Sequence, residues 1–298
     1  MSAKVKSIRN LSLSDFIFKC FVFVFVVLVC FVTLYPFYYI LIVSLSGTSA
    51  VMRNAVFWWP EGLNWSAYRT VLGYDGIWLA YFNTVFYTVA GTAISLLLTA
   101  LAAYPLSCKD WKLRRFSTLF LAITLWFGGG LIPFYLVVRQ LGLLDTRLGI
   151  LLYAAISTFY VIIMRTYFES LPQELKESAK IDGASDLRIL FQIFIPLSKP
   201  VFAALGLYYA VGKWNSFFWE SVFLNNEKLM PMQVLLMRII RNSAFDKQLA
   251  QAIMLESDVM PITIQYATII VTSLPIILVY PFLQKYFVKG VMIGAIKS

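Results

Sequence analysis

Polar and aromatic side chains set inside an apolar run are where chemistry would be expected, and KWNSFFWE at 213–220 holds Lys213, Trp214, Asn215, Ser216, Trp219 and Glu220. In hydrocarbon, charged groups are costly and turn toward protein or water. Amide and hydroxyl groups can hydrogen-bond a hydroxyl-rich solute, and indole faces can stack on its rings. Trp214, Asn215, Ser216 and Trp219 are therefore candidates for a pathway across a bilayer. Packing is the competing reading, because asparagine and serine also join helices and tryptophan marks the membrane interface. Asn83 and Thr84, in an earlier apolar run, raise the same two readings, and for them packing leads.

Much other chemistry is excluded. The chain has no histidine, which removes an imidazole base, proton shuttle or metal ligand. Cys20 and Cys30 lie in the first apolar run and Cys108 just after the second. That spacing suits neither metal ligation nor a disulfide framework, so they read as small buried apolar residues. No metal site and no bound cofactor is expected. No G-x-x-x-x-G-K-[ST] phosphate loop occurs, so the chain cannot hydrolyse ATP alone. A membrane enzyme would need a nucleophile with its base, paired carboxylates or a metal cluster. An ion-gradient-driven secondary transporter would need intramembrane carboxylates and two matching halves with broken helices. Most acidic residues fall in loops, and no convincing repeat is found.

The elements that must position these groups follow from composition. Of 298 residues, 60% are hydrophobic and 13% charged, with a mean hydropathy of +0.77. A soluble core could not cover that much apolar surface. Six runs meet the length of about 20 residues that a span requires: about 16–45, 78–106, 116–138, 148–168, 201–224 and 264–287. Backbone groups in lipid must be paired within the segment, so the fold class is all-α, a polytopic membrane protein forming one transmembrane domain over 1–298. The first run follows Lys4, Lys6 and Arg9 but is too long for a secretory signal, and reads as a retained anchor.

The net charge of +10 does not mark a nucleic-acid surface, because the basic residues flank apolar runs. With the N-terminus inside, sixteen of the 25 lysines and arginines fall on the inner side and nine outside, placing both termini in the cytoplasm. Lys285 and Lys289, and the cluster Lys109, Lys112, Arg114 and Arg115, anchor the inner surface. The outer loops are 46–77, with an aromatic belt at Trp58, Trp59, Trp65 and Tyr68, and 225–260, where MQVLLMRIIRNS predicts a short surface helix. Gly128, Gly129, Gly130 and Pro133 interrupt the third run as a hinge or a tight crossing, with packing the safer reading.

The cytoplasmic loop, 169–200, reads ESLPQELKESAKIDGASDLRILFQIFIPLSKP after the fourth run. Pro172 suits a first helical turn, Glu174 and Glu177 suit the positive end of a helix dipole, and Gly183 after Asp182 suits its stop. Ser185 or Asp186 can cap a second short helix running to about Phe194, before Pro196. Leu175, Ala179 and Asp182 share one side of the first helix, Lys176 and Lys180 another. Small residues at Ser178, Ala179, Gly183 and Ala184 permit close approach of a second surface, so the unit reads as a docking knob. A plain solvated loop is the bland alternative.

Glu177, Ser178, Ala179, then Gly183, then Ile193, Phe194, Ile195 and Pro196 match the spacing of a known signature: E-A-A, three residues, G, nine residues, I-x-L-P. By it the chain resembles the permease subunits of bacterial ABC importers of type I, with Ser178 in place of alanine and Ile195 in place of leucine. FGGGLIPFYLVVRQLGLLDT at 127–146 and the tail YPFLQKYFVKGVMIGAIKS resemble the carbohydrate branch, near permeases for complex oligosaccharides. The resemblance implies that the loop is a coupling helix inserting into a groove of a separate ATPase dimer, which binds the ATP and Mg, with Glu177, Ser178, Ala179, Asp182, Gly183 and Ala184 at the contact. It also implies a second, related but different permease chain, a sugar-binding protein, a saccharide as cargo, and a place in the bacterial cytoplasmic membrane.

Overall fold

The structure, a computed structural model, describes the backbone of residues 13–241 and 260–295 and the side chains of 14–241 and 260–278. The expectations for Lys4, Lys6, Arg9, Lys247, Lys285, Lys289 and Lys297, and for the 280–298 tail, lie outside the described side chains. Among the described residues the chain is helical without strands, as uninterrupted apolar runs require. It falls into two compact units, 1–73 with 246–271, and 74–245 with 272–298.

The first unit is carried by α1 (Leu13–Ser44), with short helices α2 (Thr48–Met52) and α3 (Ser66–Gly73) after it. Nearly all of α1 up to Leu34 is exposed, which suits a helix whose solvent is lipid. Cys20 and Cys30 are exposed with it, correcting the expectation of burial: an apolar thiol facing hydrocarbon needs no protein cover. Only the end of α1 is packed, where Ile42 and Val43 meet Ala50 and Val56, flanked by Tyr38, Tyr39 and Tyr266. Trp58, Trp59 and Trp65 remain exposed beside this cluster, and Trp58 packs at a tilt against Phe31 and Tyr35.

The second unit is built around α4 (Asp75–Ser107). Its buried residues Ile77, Ala80, Thr84, Tyr87, Gly91 and Ser95 recur every three or four positions, so one continuous stripe is covered. Small residues in that stripe let neighbours approach closely. Next come α5 (Arg114–Trp126), α6 (Leu131–Gln140), α7 (Arg147–Leu152) and α8 (Thr158–Glu169). The hairpin helices α9 (Glu174–Ile181) and α10 (Asp186–Ile189) follow; α10 widens into a π-helical turn, Leu190–Phe194, and α11 (Ile195–Leu197). Then come α12 (Lys199–Trp214), α13 (Phe218–Phe223), α14 (Met232–Arg241) and α15 (Pro261–Ala295). The most extensive neighbours of α4 are α12 and α8.

Three described helices are long and apolar enough to cross a membrane, and two bent pairs add to them. The third expected run breaks at 127–130, where α5 and α6 meet at 118°. A Cβ on Gly128 or Gly130 would meet nothing within 4 Å, and Gly130 sits at φ +79°. These glycines thus serve backbone freedom and not a tight crossing within this chain. The fourth run breaks at 153–157 and the fifth at 215–217. The expected surface helix is α14, seated through Met232, Val234 and Ile239.

Candidate functional site

The hairpin of α9 and α10 is shaped by its own residues. Glu174 and Glu177 occupy the first turn of α9, where the exposed N–H groups favour negative charge. At its end the Ala184 N–H donates to the Ala179 carbonyl (2.9 Å) and the Gly183 N–H to that of Lys180 (3.0 Å). This paired closure is a Schellman motif, and it requires the left-handed φ of +78° that Gly183 adopts. Ser185 then caps α10, its hydroxyl accepting from the Arg188 N–H (3.3 Å).

One face of α9 is turned inward. Ala179 is buried among Tyr104, Phe168, Ile189, Leu190 and Phe194, and Lys176 beside it is only 6% exposed. Lys176 therefore sits with Ala179, three positions on, and Asp182 lies on the exposed side. Glu177, Ser178, Asp182 and Gly183 are all exposed, whereas Ala184 is half-buried. Of the six docking residues expected from sequence, Ala179 thus seats the helix against its own chain, and the others stand on or beside the open side.

Ion pairs fix the hairpin to Asp110, in the link between α4 and α5, and a second set joins α8 to α5. Lys176 Nζ reaches Asp110 Oδ1 at 2.7 Å and Lys180 Nζ reaches Oδ2 at 3.0 Å. The bonds from Lys176 and then Lys180 hold the Asp110 carboxyl well below the usual carboxylate range. Burial works against the Lys176 ammonium, but its bonds, that to Asp110 foremost, outweigh it and leave the group raised. Glu169, at the end of α8, accepts from both Arg114 and Arg165 (2.9 Å for the latter). Tyr104 Oη donates to Asp186 Oδ1 at 3.1 Å.

The 213–220 group is arranged differently, around the break between α12 and α13. Glu220 is buried, and its two oxygens accept from Tyr153 and from Ser216 (2.8 Å). Trp219 packs edge-on to Phe134 at 4.8 Å and tilts against Phe223 at 5.3 Å. Asn215 is exposed and its amide donates to the Val211 carbonyl at 2.9 Å. The Trp214 indole nitrogen is buried with no partner among the described residues. Asn83 is fully buried, giving its amide hydrogens to the Lys228 and Met230 carbonyls (2.9 and 3.1 Å) and accepting from Arg147 (3.2 Å). Thr84 accepts from the Met232 N–H at 2.8 Å. Both residues of α4 therefore tie down 228–232, and Asn83 gives both of its amide hydrogens to that task.

Sequence reasoning missed Asp110, Glu169, Tyr153, Ile181 and Leu187. The last two are 86% and 61% exposed on either side of the Gly183 bend and form an apolar tip. Ile181 could have been found, since it falls four residues after Glu177 on the same helical face.

Broken apolar helices with an ion-paired hairpin between them describe a multi-pass membrane protein. The chain belongs to the family of binding-protein-dependent transport system inner membrane components, whose sequence model matches residues 76–293. It is thus a permease subunit of an ABC importer. It is 36% identical to the polygalacturonan/rhamnogalacturonan transport system permease protein YtcP of Bacillus subtilis (strain 168), covering 95% of this chain and 99% of that one. Identity to Protein LplC of the same organism is 38%, over 90% of each. A solved bacterial ABC transporter involved in the import of the acidic polysaccharide alginate matches with a TM-score of 0.87 at 40% identity, over 93% of this chain and 99% of that chain.

Proposed function

We propose that this permease forms part of the path for a saccharide delivered by an external binding protein, and that the α9–α10 hairpin couples it to a separate ATPase dimer that binds the ATP and Mg. A second permease chain, related but different, completes the path. Six membrane crossings, with α5–α6, α7–α8 and α12–α13 each serving as an interrupted one, put both termini and the hairpin in the cytoplasm of a bacterial inner membrane. The saccharide reading draws support from relatives named for polygalacturonan and alginate transport.

The observation that carries the coupling role is the hairpin's two-sidedness. Its back is held by Asp110, through Lys176 and Lys180, and by Tyr104, which donates to Asp186, while its tip presents Glu177, Ile181, Asp182 and Leu187. Such a tip suits an apolar groove rimmed by basic side chains. Co-purification with Glu177→Lys tests it. The wild-type chain should bring down an ATPase and support uptake; Glu177→Lys should insert normally yet lower both by about 100-fold, the scale of a buried charge reversal. Wild-type uptake by Glu177→Lys would exclude this contact.

A further inference from the structure

Lys213, in the last turn of α12, lies across Gly91 of α4. A Cβ placed on Gly91 would come within 2.7 Å of Lys213 Cδ and 3.1 Å of Nζ, so the glycine provides the notch in which the lysine rests. Gly91 is the midpoint of Asp75–Ser107. At a rise of about 1.5 Å per residue the ammonium is then about 24 Å from either end of α4. The hydrocarbon layer is about 30 Å thick, so a helix spanning it symmetrically holds this charge near the middle. Lysines near helix ends escape by extending to the interface; this side chain lies against the centre of its neighbour.

No anion among the described residues is in contact with it, and Lys213 forms no ion pair there within 4 Å. The acid that acts on it electrostatically is Glu220, whose oxygens are occupied by the hydroxyls of Tyr153 and Ser216. The lysine is half-buried and so not sealed off. Nearby on α4, within about one turn of Gly91, the hydroxyls of Thr88, Thr92 and Ser95 have no partner among the described residues.

We propose that Lys213 is the counter-charge for a carboxylate on the cargo, which makes the transported saccharide an acidic, uronate-bearing one. The proposal rests on the saccharide reading above and gives its chemical class. A mid-membrane ammonium costs several kcal/mol unless an anion meets it. A neutral sugar offers only hydroxyls, which an asparagine or serine would bind at lower cost. A uronate carboxylate meets the charge while passing and leaves with the sugar, so the site stays open for the next unit.

The test uses the complete importer in inverted-free, right-side-out membrane vesicles energised with internal ATP. Uptake of a panel of uronate trisaccharides is compared with uptake of their carboxyl-reduced, neutral counterparts, for wild type, Lys213→Gln and Lys213→Arg. Expected is a wild-type preference for the acidic set. Lys213→Gln should lower its maximal rate by about 10-fold or more, leave the half-saturating binding-protein concentration unchanged, and leave neutral uptake within about twofold. Lys213→Arg should restore most of the loss. If wild type takes up neither set, the saccharide reading falls and this inference with it. If it takes up only the neutral set, the reading stands and the inference is overturned. Equal acidic uptake by wild type and Lys213→Gln, equal loss on both sets, or loss of the assembled complex in both variants also overturns it; the last two would assign Lys213 to a carboxylate of a neighbouring subunit.

Discussion

The hairpin at 174–189 and the break at 215–217 both interrupt helices, yet they are held in opposite ways. The hairpin is bolted by charge, Asp110 taking Lys176 and Lys180, while just ahead of it in the chain Glu169 ties α8 to α5 through Arg165 and Arg114. The break is held by hydroxyls around one carboxylate and by aromatic edges, with Lys213 left unpaired among the described residues. A part that passes force from a motor must not yield at its seat, whereas a part that passes a solute must rearrange. On the proposed topology, ionic clamps outside the hydrocarbon and weak polar contacts within it fit that division.

Removing a bolt should disturb the hairpin more than removing a hydroxyl contact disturbs the break. Asp110→Asn leaves Lys176 buried and without its carboxylate, a situation far costlier than loss of an exposed pair. Because Asp110 itself is well exposed, screening softens the penalty, and the expected result is about a 10-fold drop in uptake with the ATPase still bound. Faster amide exchange across Glu174–Ile181 should accompany it. Unchanged exchange would mean that the clamp does not seat the helix.

The same clamp predicts how the hairpin responds to pH. A carboxyl whose folded value lies below its unfolded one contributes stability above about pH 4 and loses it as pH falls toward the folded value. Lys176, raised on folding, contributes below about pH 10 and loses its share only above that. Intrinsic-rate-corrected exchange in α9 should therefore stay flat from about pH 5 to 9 and rise below about pH 4. A rise near neutrality would point to a different anchor.

The smallest effect is expected at the break. Tyr153→Phe removes one hydrogen bond to Glu220 and one partner of Ser216, worth about 1 kcal/mol in a setting where other hydroxyls can substitute. Uptake should change by about twofold or less, and the detergent-solubilised melting temperature by a few degrees at most. A collapse of activity would show that the break is as tightly specified as the hairpin, erasing the contrast.

What could be read from the sequence follows the range of the interactions involved. Bend and cap in the hairpin were legible because Gly183 and Ser185 carry local turn chemistry, whereas Pro172, expected in the first turn, lies ahead of α9, whose N-cap is Gln173. Asp110 was not, since its lysines lie 66 and 70 positions away and no short-range pattern joins them. The break at 127–130 is announced by its glycines. That at 153–157 is silent, because Ala154 takes φ +47° inside a run that hydropathy reads as continuous. For the 213–220 group, residue type showed which side chains mattered but not which were already spent: Ser216 and Glu220 bond each other, and Lys213 is the one left with charge to offer.

On the proposed coupling, the hairpin tip enters a groove of the ATPase. The most direct test is cross-linking from Ile181→Cys, in a chain with Cys20, Cys30 and Cys108 replaced by serine, within the assembled importer. A covalent adduct between the permease and the ATPase subunit is expected, together with protection of the thiol from an impermeant reagent applied outside intact cells. An adduct absent from the ATPase in an active complex, or rapid labelling from outside, would contradict it.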